Sequence, residues 1–190
     1  MHISPFVSRN DIPKALLINP PVYDFALYDL YLQPYGLLKI GAWLKNCGWD
    51  TRYINCLDYE DTASSGFLGV PKRRADGTGK FHRKPAALPP GVPEIGRGYA
   101  RYGIVEEVFA RRLREAGRER PPDAVFIGTG MTYWYPGAAE AVRMVRGLFP
   151  GVTVAAGGVY ATLLPDHLRR HIDVDELVRG DAWEGDAGGT

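Results

Sequence analysis

The chain has only two cysteines among its 190 residues, Cys47 and Cys56, and no C-x-x-C motif. That excludes a dense disulfide framework and a zinc ribbon. The two lie in a predicted helix and a predicted strand, where they read as small core residues. No G-K-[ST] occurs, so a P-loop is absent. There is no nucleophile-elbow motif for Ser/His/Asp catalysis. The four histidines, His2, His82, His167 and His171, show no metal-ligand spacing with the cysteines. His167 and His171 are four apart and could share a helix face, but a third ligand is missing and no metal site is expected. An excess of one charge is lacking too: 23 Lys+Arg face 22 Asp+Glu, which argues against a general nucleic-acid binder. No cationic segment followed by an apolar run opens the chain, and no apolar run approaches the roughly 18 residues of a membrane helix. No membrane partner is expected, and a cytoplasmic location is.

What is present is ordinary globular composition, 45% hydrophobic and 24% charged. Residues 14–18 form an apolar run that reads as a central parallel strand. It stops at Asn19-Pro20-Pro21, where the chain must turn. Residues 22–33 form a loop with Tyr23, Phe25, Tyr28 and Tyr31 among Asp24 and Asp29. These aromatics either cap the core or line a ligand crevice. Pro34 opens a helix with Leu37, Ile40, Leu44 and Cys47 on one face, and Gly48 is a natural terminator. Residues 50–56 follow as a second strand.

Residues 57–100 break the pattern with glycines and prolines and no periodicity, a basic irregular insertion. Pro71 to Arg120 holds 13 basic and 6 acidic residues, and the remainder 10 and 16. This basic stretch is accordingly expected to be either an interaction surface or a solvated basic face. A helix over 104–117 follows.

The stretch from Asp123 to His167 organises the rest. Residues 124–127 read as a buried strand, Gly128 as its turn, and Thr129 to Tyr135 as a loop. Pro136 starts a helix that Pro150-Gly151 ends. Residues 152–156 form another strand, closed by Gly157-Gly158. A short helix near 165–171, a strand at 174–178 and Arg179-Gly180-Asp181 complete it. The expected fold is α/β, Rossmann-like in the flavodoxin manner: five parallel strands in the order 2-1-3-4-5, with helices on both faces. In such sheets ligands bind at strand carboxyl ends, at the switch point between strands 1 and 3.

Strand 1 has neither G-x-G-x-x-G nor a Ser/Thr/Gly phosphate loop after it. Gly128 and Thr129 stand where a receiver domain needs a phosphorylatable Asp. Glycine loops and aromatics suit a large, flat macrocycle better than a charged nucleotide.

K-A-L-L-I-N-P-P, P-Y-G-L-L-K-I-G-A-W-L-K-N-C-G-W-D, D-A-V-F-I-G-T-G-M-T-Y-W-Y-P-G, G-V-T-V-A-A-G-G-V-Y-A-T-L-L-P-D-H and V-R-G-D occur in that order. Together they resemble the N-terminal cobalamin (B12)-binding-like domain of radical S-adenosylmethionine proteins, over most of 14–181. The resemblance implies a domain over 1–184, with 57–100 inserted in it, and a linker starting at 185–190. It implies that the chain is a fragment and is not itself catalytic. It also implies corrinoid contacts from Asn19, Pro20, Pro21, Tyr23, Thr129, Gly130, Met131, Thr132, Tyr133, Gly157, Gly158, Val159, Tyr160 and Gly180. The partner would be a downstream domain of the same chain holding S-adenosylmethionine and a 4Fe-4S cluster, whose C-x-x-x-C-x-x-C is absent here. The family's D-x-H-x-x-G cobalt-ligand motif is replaced by Asn19-Pro20-Pro21-Val22-Tyr23. No histidine is therefore expected on cobalt, and a module that binds no cofactor, serving as scaffold or substrate-recognition domain, is the alternative.

Overall fold

The computed structural model describes residues 12–30, 32–89 and 95–180; the expected linker at 185–190 lies outside them. Five parallel strands form the main sheet: β1 (Lys14–Asn19), β4 (Asp50–Asn55), β8 (Ala124–Thr129), β9 (Thr153–Gly158) and β10 (Glu176–Val178), in the order β10-β9-β8-β1-β4. Numbered along the chain, that is the expected 2-1-3-4-5.

Strand side chains alternate between faces, and the two faces are unequally covered. Leu16, Ile18, Ile54, Val125, Ile127, Val154 and Ala156 point to one face. There they meet α3 (Glu106–Ala116), α4 (Tyr135–Leu148), α5 (Val159–Leu163) and α6 (Pro165–His171) through Phe109, Leu113, Val142, Ala161 and Leu168. Ala15, Leu17, Ala124, Phe126 and Ala155 point the other way, against Leu37 and Leu44 of α1 (Tyr35–Asn46). Gly48, with φ +85°, terminates α1 as expected. Cys47 corrects the reading of both cysteines as core: it is exposed at the helix end, while Cys56 is buried.

Strand β8 runs two residues further than its apolar run. Gly128 and Thr129 pair with Gly157 and Gly158 of β9, so Gly128 is a strand residue and not a turn. Its missing side chain has a packing reason: a Cβ there would press on Leu37 Cδ2 at 3.3 Å. The connection is therefore Gly130 and Met131, then a 3-10 turn at Thr132–Trp134.

The aperiodic insertion holds short ordered pieces: α2 (Thr62–Leu68), β5 (Gly79–Lys80) and β6 (Arg83–Pro85). Strand β6 joins β7 (Ala100–Tyr102) and β2 (Val22–Asp24) in an antiparallel sheet, while β5 pairs with β3 (Tyr28–Asp29). The loop expected over 22–33 thus carries two short strands. Asp61 caps α2 by accepting from the Ser64 amide at 2.5 Å.

Beneath the small sheet lies a buried ion pair. Arg101 of β7 reaches Glu140 of α4 at 2.7 Å, each side chain 3% exposed, and the Tyr23 hydroxyl donates to the same carboxylate at 2.7 Å. Tyr23 and Phe25 also pack on Tyr99, with centroids 6.2 and 5.2 Å apart. For these two aromatics, core capping is the role observed.

Candidate functional site

A cleft of about 640 Å³ opens at the carboxyl ends of β1, β8, β9 and β10. That is within the usual range for small-molecule sites. One wall is the turn Asn19-Pro20-Pro21. The second is the start of α1 with the chain before it, Leu32 to Leu37. The third runs through Gly130, Met131 and Trp134, and the fourth through Gly157–Tyr160, Val178 and Gly180. Phe126 and Ala155 supply part of the floor, where α1 leaves the sheet uncovered. Lys39 is the one charged side chain among the described lining residues, and its ammonium lies 5.8 Å from the Tyr35 ring centroid. Aspartate, glutamate, histidine and cysteine are absent from that lining.

Eleven of the fourteen residues expected in the site line this cleft. Tyr23, Thr132 and Tyr133 do not. Tyr23 is turned to Glu140, and Tyr133 is largely exposed beside Trp134. Sequence reasoning missed the α1 wall, including Gln33, Tyr35, Gly36 and Leu37. Its signal was the helix start placed directly after the aromatic loop, on an element that follows the switch-point strand.

The polar groups are mostly engaged within the chain. Thr129 Oγ1 donates to the Gly157 carbonyl at 2.9 Å and accepts from the Ala161 amide at 3.2 Å, so this hydroxyl is committed to holding β9 and α5. Asn19 Nδ2 donates to Asn55 Oδ1 at 2.8 Å, tying the ends of β1 and β4. The Tyr160 amide donates to the Gly130 carbonyl at 3.1 Å. Burial first, then Tyr135, pushes the Tyr160 phenol up to about 12, so it is neutral and can donate at physiological pH. Trp134 Nε1 donates to Asp24 at 2.7 Å, fixing the ring against Gly130.

Several glycines have neighbours of their own. Gly158 has φ +116°, and a Cβ there would lie 2.3 Å from the Thr129 carbonyl oxygen. A Cβ on Gly157 would meet Val178 at 3.3 Å, and one on Gly130 would meet Trp134 at 2.8 Å. The backbone thus excludes a side chain at Gly158, whereas at Gly157 and Gly130 a side chain would crowd the neighbouring Val178 and Trp134. Gly36 and Gly180 also line the cleft, and a Cβ on either meets nothing within 4 Å.

The basic stretch from Pro71 to Arg120 spends part of its charge on contacts within the chain. Arg73 pairs with Asp29 at 2.7 Å and lies 3.5 Å from the Tyr59 ring centroid. Arg83 donates to the Gly98 carbonyl at 2.7 Å. Arg112 bridges Asp58 and Asp61 at 2.9 and 2.8 Å. Among the described residues, no helix is long and apolar enough to cross a membrane.

Comparison with known proteins finds no matching family model and no matching curated protein.

Proposed function

We propose that the cleft seats a corrinoid, making the chain a cobalamin-binding module of a radical S-adenosylmethionine enzyme. The observation that carries this is an apolar, nearly uncharged cleft at the strand 1/strand 3 switch point, with prolines where a nucleotide site needs phosphate donors. The residues fit such a group. The Asn19–Pro21 turn, Gly36, Met131 and Val159 would hold one apolar face, and Asn19 Oδ1, which accepts no hydrogen bond within the described residues, suits a peripheral amide. An open cleft of this volume holds one face of a macrocycle rather than enclosing it. With no histidine in the lining, cobalt would take no protein imidazole. Bound there, the corrinoid supplies a cobalt centre able to carry a methyl group or an electron, which the downstream iron–sulfur and S-adenosylmethionine domain would use. This chain's own part is to exclude water from one face and to orient the ring.

A second reading is supported by the glycines. Gly130, Gly157 and Gly158 are explained by chain packing without any ligand, which fits a scaffold or substrate-recognition module that binds no cofactor. Mixing the chain with hydroxocobalamin separates the two. The first reading expects a shifted visible spectrum and co-elution on gel filtration at one corrinoid per chain, both retained in His167→Ala. An unshifted spectrum with no co-elution selects the second. Reduced to cob(II)alamin on ¹⁵N-labelled protein, the complex should show no ¹⁵N superhyperfine splitting in electron paramagnetic resonance.

A further inference from the structure

Away from the cleft, the insertion builds a ribbon with two unlike faces. On one side, Gly79 and Lys80 of β5 pair with Asp29 and Tyr28 of β3. On the other, Gly79 pairs with Arg73, and the Lys80 amide donates to the Lys72 carbonyl at 2.9 Å. Directly paired residues share a face, and neighbours along a strand alternate between faces. Asp29, Gly79 and Arg73 therefore face inward. There Asp29 is buried against the Arg73 guanidinium at 2.7 Å, and Arg73 lies on the Tyr59 ring. Tyr28, Lys72, Arg74 and Lys80 face outward, and all four are exposed. Arg74 lies 5.5 Å from the Tyr28 ring centroid on that face. The same alternation carries Leu30 outward, 70% exposed, and Val70, two residues before Lys72, is 81% exposed. The carboxylate of the paired rows, Asp29, is thus on the inner side. Asp76, in the turn beyond, accepts from the Thr78 amide and hydroxyl.

We propose that this outer face is a peripheral docking site for an anionic lipid surface. Singly exposed apolar residues are ordinary; their grouping with cations on one face is what points to a partner. The interface of an anionic bilayer matches both kinds of side chain. Lys72, Arg74 and Lys80 meet lipid phosphates, Leu30 and Val70 bury apolar surface below them, and the Tyr28 ring sits at headgroup level. A nucleic acid would use the same cations through its phosphates but would give the aliphatic Leu30 and Val70 nothing to stack on. Such a contact stays in the headgroup region and requires no spanning helix. None of these six residues lines the cleft, so docking here leaves the cleft open to its own ligand.

Co-sedimentation of the whole chain with vesicles tests this. The chain should sediment with vesicles of equal parts phosphatidylcholine and phosphatidylglycerol, less so as salt rises, and not with phosphatidylcholine alone. The triple variant Lys72→Gln, Arg74→Gln, Lys80→Gln should bind about a hundredfold more weakly. Leu30→Asn with Val70→Asn should bind about tenfold more weakly. Thermal unfolding should be unchanged in both, since every substituted side chain is exposed. Arg114→Gln with Arg118→Gln, which removes two exposed cations elsewhere, should leave vesicle binding intact. No sedimentation with the mixed vesicles overturns the proposal. Full affinity in the Leu30/Val70 variant reduces the face to unspecific charge adsorption and overturns it too, as does an equal loss in the Arg114/Arg118 variant. Tighter binding to single-stranded polydeoxythymidine than to the vesicles, lost in the triple variant alone, assigns the face to nucleic acid instead.

Discussion

The two faces of the main sheet are built to different standards. One is covered by four helices, with Phe109, Leu113 and Val145 at 0% exposure. The other carries α1 alone, whose outer surface leaves Tyr35, Leu38 and Trp43 at 72, 38 and 36%. The cleft opens where both faces reach the strand ends: Phe126 and Ala155 line it from the thin face, and Ile127, Ala138, Ala156 and Tyr160 from the thick one. Part of the cleft floor is thus open because, among the described residues, α1 alone covers that face, while the thick face holds the larger share of the buried side chains.

Removing one large side chain from each face tests that contrast most strongly. Phe109→Ala should cost about 3–5 kcal/mol, whereas Leu37→Ala should fall near about 2 kcal/mol because its void opens into an existing cleft. Urea unfolding measures both, and equal losses would break the comparison.

A smaller effect comes from the acidic side of α4's anchorage. Arg146 pairs with Asp175 at 2.8 Å, and Asp175 also accepts from the Val154 amide at 2.7 Å. Burial opposes ionisation of Asp175, but the Val154 amide and Arg146 outweigh it and lower its pKa. A depressed carboxyl stabilises the fold above the unfolded value of about 3.9 and loses that contribution as pH falls through the folded value. Asp175→Asn should therefore reduce stability at neutral pH and flatten the acid limb of a circular-dichroism titration below about pH 4.

The smallest expected change in stability is on the thin face. Gly36→Leu adds a side chain where a Cβ meets nothing within 4 Å, in the first turn of a helix. Thermal unfolding should shift little, yet on the corrinoid reading proposed above hydroxocobalamin binding should fall by about tenfold or more because the side chain occupies the cleft. Gly158→Val cannot make this distinction, since it strikes the Thr129 carbonyl and damages the sheet.

The sheet was legible because buried strands announce themselves as apolar β-branched runs, and the alternation of strands and helices fixed their order. The end of β8 was not, because Gly128 reads locally as a turn and only its pairing with Gly157 makes it strand. Tyr23 looked like a ligand contact because its partner, Glu140, lies 117 residues away. Strands of two or three residues, such as β5 and β6, carry no period to detect. For the site, the glycine loops were visible as positions but not as causes: Gly158 and Gly36 look alike in sequence, and only the neighbours of a built Cβ separate them.

The Arg101–Glu140 pair has a consequence for how the molecule opens. It joins β7 of the small antiparallel sheet to the helix that covers the main one, so separating the two layers breaks a buried, hydrogen-bonded ion pair. Local fluctuation of the small sheet is thereby coupled to opening of the core. Native-state hydrogen exchange should find the amides of β7 protected together with those of α4, in a single cooperative unit, and not among the early-exchanging loops.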